Sequence, residues 1–96
     1  METQIHSIHF DADKKLIDFI NEKVGKLDLF HDHIIASEIF LKIDKSQVKE
    51  NKNVEIKLLV PGKTLIAKKQ CKSFEEATDD AIDALRKQLA KSKEKS

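Results

Sequence analysis

The chain has 96 residues, 36% of them charged, and its 18 lysines and arginines stand against 17 acids for a formal net charge of +1. That length supports one small hydrophobic core and not the deep cavity of an elaborate enzyme, and the balanced charge removes any global argument for nucleic acid. One cysteine, Cys71, excludes an intrachain disulfide, and no apolar run approaches the roughly 20 residues of a membrane-spanning helix.

The opening residues METQIHSIHF lack a basic start followed by a long apolar run, so a cytoplasmic protein with no membrane partner is expected. Charge is unevenly spread. Residues 1–41 sum to −4, residues 42–72 to +6, residues 73–83 to −5 and residues 84–96 to +4. Positive charge is therefore concentrated in the strand region and at the chain end, where phosphate contacts would be sought.

Thr3 to Phe10 reads as a strand, but Ile5 and Ile8 are out of phase for strict alternation. A bulge near His6 and Ser7 is expected, with Ile8 and Phe10 turned to the core. Asp13 should cap a helix whose stripe is Leu16, Ile17, Ile20, Val24 and Leu27. Gly25 is tolerated there at about 1 kcal/mol relative to alanine. Lys14 and Lys15 sit in the first turn, against the helix dipole; phosphate binding would explain them, and so would neutralisation by Asp11 and Asp13.

The run LDLFHDH, Leu27 to His33, closes that helix. Ile34 to Ile43 reads as a second strand, with Ile39, Leu41 and Ile43 opposed to Glu38, Phe40 and Lys42. Asp44 to Lys52 is a polar, mobile connection. Val54, Ile56, Leu58 and Val60 alternate with Glu55, Lys57 and Leu59 in a third strand, Pro61-Gly62-Lys63 reverses the chain, and Thr64 to Lys72 is a fourth strand with Leu65, Ala67 and Cys71 on one face.

Ser73 to Lys95 is the last helix, with Phe74, Ala77, Thr78, Ala81, Ile82, Leu85 and Leu89 at helical spacing. Ser73 and Glu76 form a capping box. Acids fill its first half, and Arg86, Lys87, Lys91, Lys93 and Lys95 its second. Macrodipole matching accounts for that split and is preferred; the alternative is a basic helix end that meets an anionic partner. Residues 1–92 form one domain, and residues 93–96 a frayed basic tail.

The order is α+β: β-α-β-β-β-α. Alternating strands need one covered face, so both helices should lie on one side of a four-stranded mixed sheet. A right-handed crossover makes the first two strands parallel, and strands two to four an antiparallel meander. The face bearing Phe40, Lys42, Glu55, Lys57 and Lys68 is left to solvent or a partner.

Chemistry is sparse. His6, His9, His31 and His33 make two short pairs without zinc spacing, and no second cysteine completes a Cys/His set. Cys71 should point to the core, where a thiol is inert. The acids of the last helix, spread over a solvated face, should lack convergent geometry for Ca²⁺ or Mg²⁺. No metal, cofactor, small-molecule substrate or catalytic residue is expected. Nucleic-acid binding survives better: Lys15, Phe19, Glu22 and Lys26 lie along one side of the first helix, and Arg86, Lys87, Lys91 and Lys93 extend the second. Two such helices could straddle folded RNA, meeting phosphates and shape more than base edges. Phe19 and Phe40 read as packing or core-edge residues, not stacking platforms.

Three strings, in this order and spacing, resemble the ribosome hibernation-promoting factor family, also called ribosome-associated inhibitor or sigma-54 modulation proteins. They are KVGKLDLF (Lys23 to Phe30), VEIKLLVPGKTLIAK (Val54 to Lys68), and a final helix in which Ala77, Leu85, Gln88, Leu89 and Lys91 match the family pattern. The resemblance covers the whole chain and is similar to the family's short form. It implies a fold like a double-stranded-RNA-binding domain that docks on the small ribosomal subunit and its rRNA, in the channel of mRNA and tRNA, stopping translation without chemistry under starvation or in stationary phase. The resemblance leaves open both ribosome dimers as a further partner state and the silencing of single ribosomes.

By motif position Lys23 and Lys26 match on the first helix and Lys87 and Lys91 on the second; Arg86 is added as their neighbour, and Lys15 as a further cation. Ser73 stands where the family usually has Asp, and Asp18 and Glu22 make the first helix less basic than in some relatives. A protein-binding module that modulates a sigma-54-type transcription factor through the exposed sheet face is the alternative.

Overall fold

The computed structural model describes residues 1–31, 33–46 and 48–94, with side chains through Lys91. Its elements are β1 (Glu2–Ile8), α1 (Lys14–Gly25), a 3₁₀ turn (Lys26–Leu29), β2 (Ala36–Ile43), β3 (Lys52–Val60), β4 (Lys63–Cys71) and α2 (Phe74–Glu94). The expected order β-α-β-β-β-α is the observed one. The sheet runs β1-β2-β3-β4, with β1 parallel to β2 and the remaining pairs antiparallel.

Alternation decides which face is buried. Ile39 and Leu41 of β2, Val54, Ile56, Leu58 and Val60 of β3, and Leu65, Ala67 and Cys71 of β4 form one cluster with Leu16, Ile20 and Val24 of α1 and Phe74, Ala77, Ala81, Leu85 and Leu89 of α2. Both helices therefore cover the same face of the sheet, as a single-layer sheet with alternating side chains requires. Lys69 shares the inward phase of β4 opposite Val54, yet it is exposed, because on this edge strand it lies outside the helical cover.

The first strand differs from expectation. β1 pairs with β2 in unbroken register from Glu2↔Ala36 to Ile8↔Lys42, so there is no bulge at His6 or Ser7. Ile5, not Ile8, packs against the core. The phase change has another cause: the chain leaves the sheet at His9, whose φ of 63° is left-handed. That turn swings Phe10 inward to stack on Phe74, with ring centroids 5.1 Å apart.

Helix starts follow their caps. The Asp13 carboxylate accepts from the Leu16 N–H at 2.8 Å, and the Ser73 hydroxyl accepts from the Glu76 N–H at 3.1 Å. At the β3–β4 reversal Gly62 has φ 85°, a conformation that explains glycine there. The connection from Asp44 includes Gln47, which lies outside the described residues. Its ends are tied by Asp44 N–H to the Asn51 carbonyl at 2.7 Å and by Gln70 Nε2 to the Glu50 carbonyl at 2.6 Å. Ser46 donates its hydroxyl and its N–H to Asp44, which lowers the Asp44 pKa. The tail expected from residue 93 overlaps the end of α2, and residues 95 and 96 lie outside the described residues. No described helix is long and apolar enough to cross a membrane.

Candidate functional site

Parallel helices gather the expected cations. Lys23 Nζ lies 3.8 Å from Asp79 of α2, and Phe30, seven residues further on, lies under Arg86, seven residues beyond Asp79. α1 with its 3₁₀ extension and α2 therefore run side by side in the same direction. The C-terminal end of α1 lies beside the middle of α2, and the negative end of the α1 dipole favours the basic side chains gathered there.

Between them is an open groove lined by Lys23, Lys26, Leu29, Phe30 and Ile82, with Asp79, Asp80, Asp83 and Arg86. It continues into a shallow depression formed by Leu29, Phe30, Asp83, Arg86, Lys87 and Ala90. Four of the six residues expected from sequence, Lys23, Lys26, Arg86 and Lys87, thus line one continuous surface. Lys91 is exposed one turn beyond Lys87, about 6 Å along α2. Lys15 does not join them. It is exposed in the first turn of α1, eleven residues and roughly 16 Å of helix from Lys26.

The surface is not purely positive. Lys26 lies 3.9 Å from Glu22 and Lys87 lies 3.6 Å from Asp83, each an i,i+4 pair with both side chains largely exposed. Such pairs are weak and exchange readily with other anions. Arg86 makes no ion pair among the described residues; its guanidinium carbon sits 4.3 Å from the Phe30 ring centroid. Sequence reasoning had Phe30 only as the aromatic end of the KVGKLDLF string and gave it no site role, because it follows the helix and carries no periodic signal; Arg86 above it places it in the surface.

The other candidates take different forms. Phe19 is partly buried against the core with Lys23 Nζ 5.5 Å from its ring centroid. Phe40 is on the outer sheet face, stacked on His6 at 5.0 Å and beneath Lys57 at 5.2 Å, so it is a surface packing residue and not part of the core. His6 also donates to Glu38 at 3.0 Å. His31 Nδ1 accepts from the His33 N–H at 3.1 Å, while Asp32 lies outside the described residues.

The acids of α2 are less dispersed than expected. Carboxylate oxygens of Glu76 and Asp80 and the Cys71 sulfur all lie within 4.8 Å of one another, because Cys71 ends β4 just beneath the first turns of α2. Burial, together with the hydrogen bond and negative charge of Asp80, pushes the Cys71 thiol up to about 11. The thiol accordingly donates to Asp80 Oδ2 at 3.4 Å and offers no thiolate near neutrality.

Fold and surface together define a small α+β domain that presents cations from two parallel helices on one side. The sequence pattern of the family described as sigma 54 modulation protein / S30EA ribosomal protein matches residues 3–96, and the chain belongs to that family. A ribosome hibernation promoting factor from Pseudomonas putida is 30% identical over 95 residues, spanning 99% of this chain and 89% of that one. The factor of that name from Azotobacter vinelandii is 28% identical over 95 residues, or 99% and 85% of the two chains. A ribosomal subunit interface protein from Coxiella burnetii has the same fold, with a TM-score of 0.86 at 24% identity over 97% of this chain and 98% of that one. The N-terminal domain of Protein Y from Thermus thermophilus gives 0.79 at 19% identity, over 93% and 96%.

Proposed function

We propose that this protein is a non-enzymatic ribosome hibernation factor. It binds the small ribosomal subunit in the channel used by mRNA and tRNA, and holds ribosomes inactive during starvation or stationary phase. One observation carries the reading: in a chain of this family, Lys23, Lys26, Arg86 and Lys87 come from two helices onto one continuous surface. Names of relatives that refer to ribosome hibernation and to the ribosomal subunit interface support it.

The mechanism is occupation. Phosphates of rRNA exchange for the carboxylates that hold Lys26 and Lys87, Lys91 extends the contact along α2, and Lys15 makes a separate contact at the far end of α1. Exchange of one anion for another costs little where both are solvated. The bound domain then excludes tRNA and mRNA by volume, with no bond made or broken. Action in the cytoplasm follows from such a partner.

Co-sedimentation of the purified protein with small subunits, large subunits and intact ribosomes across a salt series tests this. Binding to small subunits and intact ribosomes is expected, competed by tRNA and lost with salt at a log–log slope of about −0.7 to −0.9 per phosphate. The double variant Lys87→Glu with Lys91→Glu should bind more weakly while remaining folded. No association at low salt would overturn the reading. It would leave the outer sheet face, where Leu59 and Ile66 are 43% and 49% exposed beside the His6–Phe40–Lys57 stack, as the surface for a protein partner of the sigma-54 type.

A further inference from the structure

Arg86 is the only arginine among 18 basic residues, and among the described residues it is the cation closest to an exposed aromatic ring, with its guanidinium carbon 4.3 Å from the Phe30 centroid. Lysine serves every other basic position, including the two other cations placed over phenylalanines, Lys23 on Phe19 and Lys57 on Phe40. An ammonium has no plane; a guanidinium does, and it can carry a second flat group on its outer face. Phe30 is 39% exposed and adjoins Leu29, which is 81% exposed, so the chain keeps two large apolar side chains at the surface beside two cations.

We propose that Arg86, seated over Phe30 at 4.3 Å, is a stacking platform for one unpaired nucleobase of the bound RNA. This rests on the ribosome-binding reading and adds to it a contact that is not with phosphate. The depression beside the pair, about 500 Å³, has an apolar wall of Leu29, Phe30 and Ala90 and a cationic rim of Arg86 and Lys87. That combination suits a nucleotide, whose base needs a flat apolar or guanidinium surface and whose phosphate needs a cation. It suits an acidic peptide less well, because Asp83 shares the depression and a carboxylate brings no aromatic face. Asp83 also limits how many phosphates can enter, so the base supplies contact that charge cannot. The platform orders itself before binding, which lowers the entropy lost when the base docks.

The test uses small ribosomal subunits and four variants of the full chain, each first shown to be folded by its thermal melt. Arg86→Lys keeps the charge and removes the plane. Phe30→Leu keeps apolar bulk and removes the ring, while Phe30→Trp keeps an aromatic support. Lys87→Gln removes one cation. The expected result is that Arg86→Lys and Phe30→Leu weaken binding by about 5- to 150-fold, the range for loss of one stacked base. Their salt slope should stay that of the parent, and Phe30→Trp should bind as the parent does. Lys87→Gln should instead reduce the slope by about 0.7 to 0.9. If Arg86→Lys and Phe30→Leu bind within twofold of the parent while Lys87→Gln retains its effect, the pair only fastens the 3₁₀ turn to α2 and the proposal is overturned with the ribosome reading intact. If the parent itself does not bind small subunits, both fall. Should Phe30→Leu fail to fold, Arg86→Lys alone decides.

Discussion

Asp83→Asn should make the protein bind ribosomes more tightly. Asp83 lies on both the groove and the depression, and its carboxylate holds Lys87 at 3.6 Å with side chains 60% and 78% exposed. Losing an exposed i,i+4 pair costs only about 0.3 to 0.5 kcal/mol of stability, so the fold should tolerate the change. A phosphate that contacts Lys87 would stand roughly 6 Å from the Asp83 carboxylate, where two like charges in water repel by about 0.7 kcal/mol. Removing that repulsion predicts roughly threefold tighter binding at low salt, and the gain should fade towards 1 M salt as the screening length falls to about 3 Å. Glu75→Gln is the control: it makes the same change in net charge in the exposed first turn of α2, outside the groove. The measurement is the dissociation constant for small subunits at about 0.05 and 0.5 M salt. Equal tightening by both variants would mean that overall charge, not the groove, governs binding. No tightening by Asp83→Asn would refute the local argument.

Stability and reactivity give four further outcomes. Leu85 is fully buried, so Leu85→Ala should lower the urea-derived stability by about 2 to 5 kcal/mol. Thr78 is fully buried and its hydroxyl has no hydrogen-bond partner among the described residues, so Thr78→Val should raise the melting temperature, with a gain of about 1 kcal/mol. Cys71 should resist alkylation at pH 8 in the folded protein and react promptly in urea, and Asp80→Asn should speed the folded reaction by removing the acceptor and charge that hold the proton. Because the folded thiol titrates near 11, above its ordinary 9.0, its contribution to stability is whole below pH 9 and is lost as pH rises through 11. A melting temperature that stays flat over that range would contradict the burial of the thiol.

Period carried most of the architecture. Val54, Ile56, Leu58 and Val60 can satisfy only a strand with one dry face, and the stripe from Phe74 to Leu89 only a helix, so the sheet and its cover were legible. β1 misled because Ile8 lies beside a left-handed residue, His9; nothing in a six-residue window announces a positive φ at histidine. The cationic surface was half legible. Lys23, Lys26, Arg86 and Lys87 could be named from their places on helices, but their separation into a shared groove and an isolated Lys15 depends on the relative direction of the two helices. That direction is set by the strand order and not by any local pattern. The meeting of Cys71 with Glu76 and Asp80 escaped for the same reason, since it joins the end of a strand to the first turns of the next helix across a tight corner.

Lys69 gives β4 a property that burial alone would not. The strand is the last in the sheet, nine residues long, and its outer backbone groups could template another strand. An ammonium on the inward phase, where a neighbouring strand would have to lay its apolar row, makes that addition costly for a second chain without straining the fold itself. Replacing Lys69 with valine would leave the domain able to fold while turning its rim into a seed for intermolecular ribbons, visible as concentration-dependent growth in light scattering.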